Sequence, residues 1–234
     1  MENKIKDQRG NIHPIAGIQN MPEQPLVIRV LAHVFSFVFH PLFIPVIATW
    51  YLAFIQPVYF TGMPSHDRLW IVIRVGYNTI FYPALTVLLL KAVGFIKSIF
   101  LKTQRERIIP YIATNFFYFW VYLVLRSQPE VPIILTSFIF GIFLASSLAL
   151  IANIYFKISM HALGVGSLSG LMLIIIFSGS SYTVFLPVMI AFMITGLVCT
   201  SRMIVSDHKP FDIYSGLFFG IICQFIAYTF IVLS

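Results

Sequence analysis

Seven long apolar runs separated by short polar breaks make up most of this chain: residues 27–54, 69–96, 109–125, 133–156, 162–179, 183–200 and 213–233, the third and fifth being the shortest. A helix rises about 1.5 Å per residue, so runs of this length can cross a hydrocarbon core about 30 Å thick. The runs are continuously apolar and lack the in-out alternation of a barrel wall, which selects helices over strands. The pattern therefore predicts an all-α fold, a polytopic transmembrane helix bundle with six to seven membrane helices. Turn chemistry marks the breaks, at Gln56-Pro57 through Met63-Pro64, at Ser127 to Pro132 and at Ser178 to Ser181. No internal repeat or low-complexity linker divides the runs, so 27–234 reads as one transmembrane domain behind a polar segment, 1–26.

Composition strengthens this reading and excludes a soluble globular domain. The chain is 59% hydrophobic, 16% aromatic and only 10% charged, with a mean hydropathy of +0.92. The opening stretch carries Lys4, Lys6 and Arg9 and lacks the apolar core of a cleavable signal, so the first hydrophobic run is expected to direct insertion. The expected location is a bacterial inner membrane, with the bilayer as a partner. Cys199 and Cys223 lie inside apolar runs without metal-ligand spacing and read as packing residues.

Charge is distributed unevenly along this pattern. If every run crosses, the amino terminus and the linkers 97–108, 157–161 and 201–211 share one face. Only Arg68, Arg74 and Arg126 of the 15 basic residues then lie on the other. A basic face has two readings: the excess of cations that marks cytoplasmic loops, or an anion site built from several loops. Nucleic acid is not an expected partner, because nothing in the chain resembles a folded reading domain. Within the apolar runs, His40-Pro41 reads as a helix kink and Arg74 as a snorkelling side chain.

Three linkers on the basic face carry candidate chemistry. In "SRMIVSDHKPFDIYSG" (201–216), Ser201-Arg202 closes the sixth run, His208 follows, and Pro210 is placed to begin the seventh with Asp212 in its first turn. A carboxylate there complements the helix dipole. One turn beyond a histidine it also accepts the ring N–H, fixing the tautomer and freeing the other nitrogen as a nucleophile, and spacing alone leaves both roles open. In "FKISMHALGVGSLSG" (156–170), Lys157, Ser159 and His161 stand where the fifth helix begins, and free backbone N–H groups at such an end attract anions. Gly164, Gly166 and Gly170 follow no strand, so they read as close helix packing and not as a dinucleotide loop. The third linker, "KSIFLKTQRERIIP" (97–110), offers Lys102, Arg105 and Arg107.

Together these motifs resemble the type-2 phosphatidate phosphatase superfamily. Ser201-Arg202, five residues, His208, three residues and Asp212 match its third signature at every fixed position. "ISMH" at 158–161 keeps the serine and histidine of the second signature, Pro-Ser-Gly-His, with Ile158 and Met160 at the other two positions. The first signature, Lys, six residues, Arg-Pro, is met only loosely, since Pro110 does not adjoin an arginine. The signatures occur in family order over roughly residues 97–225, with apolar sequence between the first two sufficient for two extra crossings.

The resemblance implies hydrolysis of a terminal phosphate from a phosphorylated lipid through a phosphohistidine. His208 is then the nucleophile, Asp212 its orienting partner and His161 the acid that protonates the leaving alkoxide. Arg202, Ser159, Arg107, Lys102 and Arg105 would bind the phosphoryl oxygens, with no metal or other cofactor. Positive-inside counting places this face in the cytoplasm, whereas the family places it outside. Two other readings compete: a non-catalytic or transport protein that binds anionic phospholipid with the same loops, and a metal site formed by His161, Asp207, His208 and Asp212, which chelators would reveal.

Overall fold

The computed structural model describes residues 4–6, 12–14, 24–96, 104–179, 184–205 and 208–233, with the backbone alone at 4–6, 12–14 and 104–107. A small antiparallel ribbon comes first, β1 (Lys4–Lys6) against β2 (Ile12–Pro14), with Lys4 opposite Pro14. Helices dominate the rest: α1 (Leu26–Val38), α2 (Ile44–Trp50), α3 (Ser65–Gly76), α4 (Tyr82–Ala92), α5 (Gln104–Arg126), α6 (Ile133–Tyr155), α7 (Met160–Phe177), α8 (Phe185–Val205) and α9 (Pro210–Leu233). Among the described residues, six helical stretches are long and apolar enough to cross a membrane: Ser65–Ala92, Ile108–Arg126, α6, α7, α8 and α9. The chain is an all-α polytopic membrane bundle. Its exterior matches, because large apolar side chains such as Leu88, Trp120, Met189 and Phe218 are exposed, as hydrocarbon contact requires.

The first apolar run departs from expectation. Residues 27–54 do not form one crossing; the helix stops at Val38 and resumes at Ile44. Pro41 supplies no N–H and biases His40 away from helical geometry, while Pro45 sits at the permitted start of α2. Two further prolines leave a different mark. Turns of π-helix at Tyr51–Ile55 and Tyr77–Phe81 each end just before a residue that precedes proline, Gln56-Pro57 and Tyr82-Pro83. The N–H before the proline donates five residues back, Gln56 to the Tyr51 carbonyl at 2.9 Å and Tyr82 to that of Tyr77. A wider turn thus absorbs the missing donor without ending the 65–92 helix.

Burial shows which helices are central. In α6 and α7, 61% and 67% of the spanning window is buried, against 28–33% in the other four candidate spans. Helix α7 packs on α9 and α8, α6 on α5 and α9, and α1 on the outside of α8. The α7–α9 contact is close because both helices present glycine there. A Cβ on Gly166 would lie 2.5 Å from the Leu217 carbonyl oxygen, and one on Gly220 2.8 Å from the Ser167 nitrogen. With hydrocarbon as solvent, backbone approach of this kind supplies the dispersion contact that water would otherwise drive. The buried Gln224 of α9 lies against Gly141 of α6 and Gly170 of α7, and its Nε2 donates to the Phe138 carbonyl at 3.4 Å. The expected packing role of the α7 glycines is therefore met.

Helix α1 is turned inside out relative to a helix in water. Ala32 and Ser36 are buried, while Val27, Leu31, Val34 and Phe37 face outward.

Candidate active site

The start of α7 and the start of α9 form one structural unit. Ser159 is the N-cap of α7, and its Oγ accepts from the Ala162 N–H at 3.4 Å. Its own backbone N–H donates to the Asp212 carbonyl at 3.0 Å, tying the two helix starts together. Gly216, one turn along α9, permits this approach, since a Cβ there would lie 2.7 Å from the Ser159 carbonyl oxygen. On the outer side Phe156 packs edge-on against Phe211 with ring centroids 5.3 Å apart.

Pro210 opens α9 and Asp212 stands in its first turn, as the sequence predicts. Asp212 is buried, and its Oδ2 accepts from the Lys209 backbone N–H at 3.0 Å, the reciprocal half of a capping box. The same Oδ2 lies 3.4 Å from Nδ1 of His208. Asp212 thus caps the helix and at the same time faces the histidine. With Nδ1–H directed at the carboxylate, the lone pair of a neutral His208 ring is on Nε2. Burial and the cations Lys157 and Arg202 lower the His208 pKa, against the opposing pull of Asp212.

His161, on the first turn of α7, directs Nε2 at the Ser36 carbonyl of α1, 3.0 Å away. Since a carbonyl only accepts, this nitrogen carries the proton. Arg202, in the last turn of α8, interacts electrostatically with His161, His208 and His40. The structure thus gathers Ser159, His161, Arg202, His208 and Asp212 at one end of the bundle. Lys102 lies outside the described residues, as do the side chains of Arg105 and Arg107, whose backbone forms the first turn of α5.

Ile158 and Met160, the two positions at which "ISMH" departs from the pattern it resembles, are packing residues. Ile158 is 3% exposed and joins a buried cluster with Ala149, Ala152, Leu163 and Cys223, against which Met160 also packs. Among the described residues no group of three His, Cys, Asp or Glu is placed to hold a metal ion; Asp207, one member of the metal alternative, lies outside them.

His40, read from the sequence with Pro41 as a helix kink, does lie in the break between α1 and α2. Its ring meets that of His161 edge to face, with centroids 5.2 Å apart and an interplanar angle of 84°. An ionisable residue in an apolar run is a functional candidate by default, the reading that stood beside the kink for His40 and beside snorkelling for Arg74. Arg74, by contrast, is tied to the far end of the bundle, where its Nη1 donates to Gln128 Oε1 at 2.7 Å. Two cavities, about 950 and 560 Å³, also open at that end and include none of the histidine cluster in their walls. Comparison with protein-family models, curated proteins and solved structures matches nothing.

Proposed function

We propose that this chain is an integral-membrane phosphatase that removes a terminal phosphate from a phosphorylated lipid, of phosphatidate, phosphatidylglycerophosphate or isoprenyl diphosphate type, in a bacterial inner membrane. The observation that carries the reading is the His208–Asp212 pair at the same bundle end as His161 and Arg202. Nε2 of His208 attacks phosphorus in line with the leaving oxygen. As the P–N bond forms and the P–O bond to the lipid breaks, His161, entering this step protonated on both nitrogens, keeps Nε2–H on the Ser36 carbonyl and gives its Nδ1 proton to the departing alkoxide. Asp212 stabilises the positive charge that develops on the His208 ring. His161 then takes a proton from water, whose oxygen displaces the histidine and releases inorganic phosphate. Arg202, with the N–H groups at the start of α7, offsets the charge on the phosphoryl oxygens. Residues 102–107 bring further cations to this face in the sequence.

The test uses purified protein with each of the three lipid classes. Phosphate release is expected to survive a chelator, to be blocked by vanadate and to vanish in His208→Ala. Unchanged release in that variant removes the nucleophile from the scheme. Tight binding of the lipids without turnover of any favours the non-catalytic reading, which the packed Ile158 and Met160 support.

A further inference from the structure

We propose that the break between α1 and α2 is part of the site, with His40 as a positioning residue that, together with the Ser36 carbonyl, holds the His161 ring in one orientation and one tautomer. The proposal rests on the reading above only in making His161 the proton carrier; the positioning itself is independent of any reaction.

Three contacts support it. The Ser36 carbonyl takes the Nε2 proton of His161 at 3.0 Å, leaving Nδ1 as the nitrogen with a lone pair. The His40 ring meets the His161 ring at 84° with centroids 5.2 Å apart, an arrangement that opposes rotation of either. His40 is in turn fixed, because its Nδ1 accepts from the Leu42 N–H at 3.3 Å, which places the proton of a neutral ring on Nε2.

The seat of the break is also specific. Gly164, one turn beyond His161, faces Pro41, and a Cβ at 164 would lie 3.3 Å from the Pro41 Cα. Any side chain there crowds the segment that carries His40. Ser36, a residue only 6% exposed, adds a buried hydroxyl with no hydrogen-bond partner among the described residues, a polar group on the inward side of a helix whose outer face is aliphatic. A purely structural helix break needs neither that hydroxyl nor an imidazole against another imidazole.

Among the described residues, the charged and titratable groups facing His161 are His40, Arg202 and His208, and those facing His40 are Arg202 and His161. Such a cluster makes the orientation of His161 measurable by its protons. The experiment is ¹⁵N NMR of the histidine rings in micelles, with His161 signals assigned from their loss in His161→Ala, alongside kinetics on phosphatidate. In the unaltered protein His161 is expected as the single Nε2–H tautomer, and His40→Phe, which keeps a ring for packing, is expected to give mixed tautomers. In the same variant kcat is expected to fall roughly 10- to 100-fold with KM nearly unchanged, as misplacement of one group does. His33→Phe, seven residues earlier on α1, serves as the unchanged control. An Nδ1–H tautomer in the unaltered protein overturns the proposal, as do wild-type ring signals in His40→Phe. If His40→Phe does not fold, the tautomer of the unaltered protein still decides. If that protein has no phosphatase activity, the function proposed above fails while the ring signals still judge the positioning.

Discussion

The backbone N–H of Ser159 donates to the carbonyl oxygen of Asp212 at 3.0 Å, across 53 residues of sequence, and so fixes the start of α7 against the start of α9. Loops that carry His161 and His208 thereby share one frame. The glycine contacts along α7 and α9 extend that frame into the membrane. Proton transfer and nucleophilic attack at a single phosphorus need this kind of fixed separation, because small misplacements cost large factors in rate.

Asp212→Asn separates the two roles of this residue. The amide oxygen still accepts from Lys209 N–H, so folding is expected to persist. The carboxylate that orients His208 Nδ1–H is gone, and kcat is expected to fall by about 10²–10⁴ with little change in KM. Asp212→Ala loses the cap as well and should cost about 1 kcal/mol more in stability, read by thermal unfolding in detergent.

The pH dependence follows from what surrounds His208. Burial, Lys157 and Arg202 lower its pKa from the ordinary 6.5, so its neutral ring, the nucleophile in the proposed reaction, persists to more acidic pH. The acid limb of kcat/KM assigned to His208 is therefore expected below pH 6.5. Lys157→Gln removes one lowering cause and moves that limb upward; Asp212→Asn removes the raising ones and moves it downward. A limb that moves the other way in Lys157→Gln contradicts the assignment of the nucleophile.

Arg202→Lys tests whether charge alone suffices. Lysine keeps the cation but loses the planar fork that matches two phosphoryl oxygens. A loss of roughly 10²-fold in kcat/KM is expected, with intact folding by size exclusion. Full activity in this variant shows that Arg202 serves only as background charge.

Two glycines predict opposite effects of the same substitution. Gly220→Ala sets a methyl group against backbone atoms of Ser167 and Gly166 and is expected to cost about 1–3 kcal/mol or more. Gly196→Ala meets nothing within 4 Å and, in a helix interior, should be neutral or stabilising by up to about 1 kcal/mol. Thermal midpoints of both in one detergent check the pair.

Much of this architecture was legible in the sequence because local rules set it. Pro210 with Asp212 marked the start of α9, Ser159 marked the start of α7, and Gly166 and Gly170 marked a close helix contact. The apolar run 27–54 misled for a physical reason: hydropathy registers the cost of transfer into lipid and is blind to the donor that Pro41 lacks. The partnership of His40 with His161 was hidden because it joins residues 121 apart, and no periodicity reaches across such a distance. Spacing did identify the His208–Asp212 pair, since four residues across a helix start already bring the two side chains together.

The packing of α9 against both α6 and α7 has a consequence for biosynthesis. Translation reaches α9 only after α7 and α8 are complete, a delay on the order of 2–10 s at ordinary elongation rates. During that interval the glycine face of α7 lacks its partner and His161 stands without His208. A nascent chain stalled ahead of His208 is thus a membrane-inserted product carrying half of the candidate site, and only continued elongation supplies the His208 imidazole and the helix that anchors it.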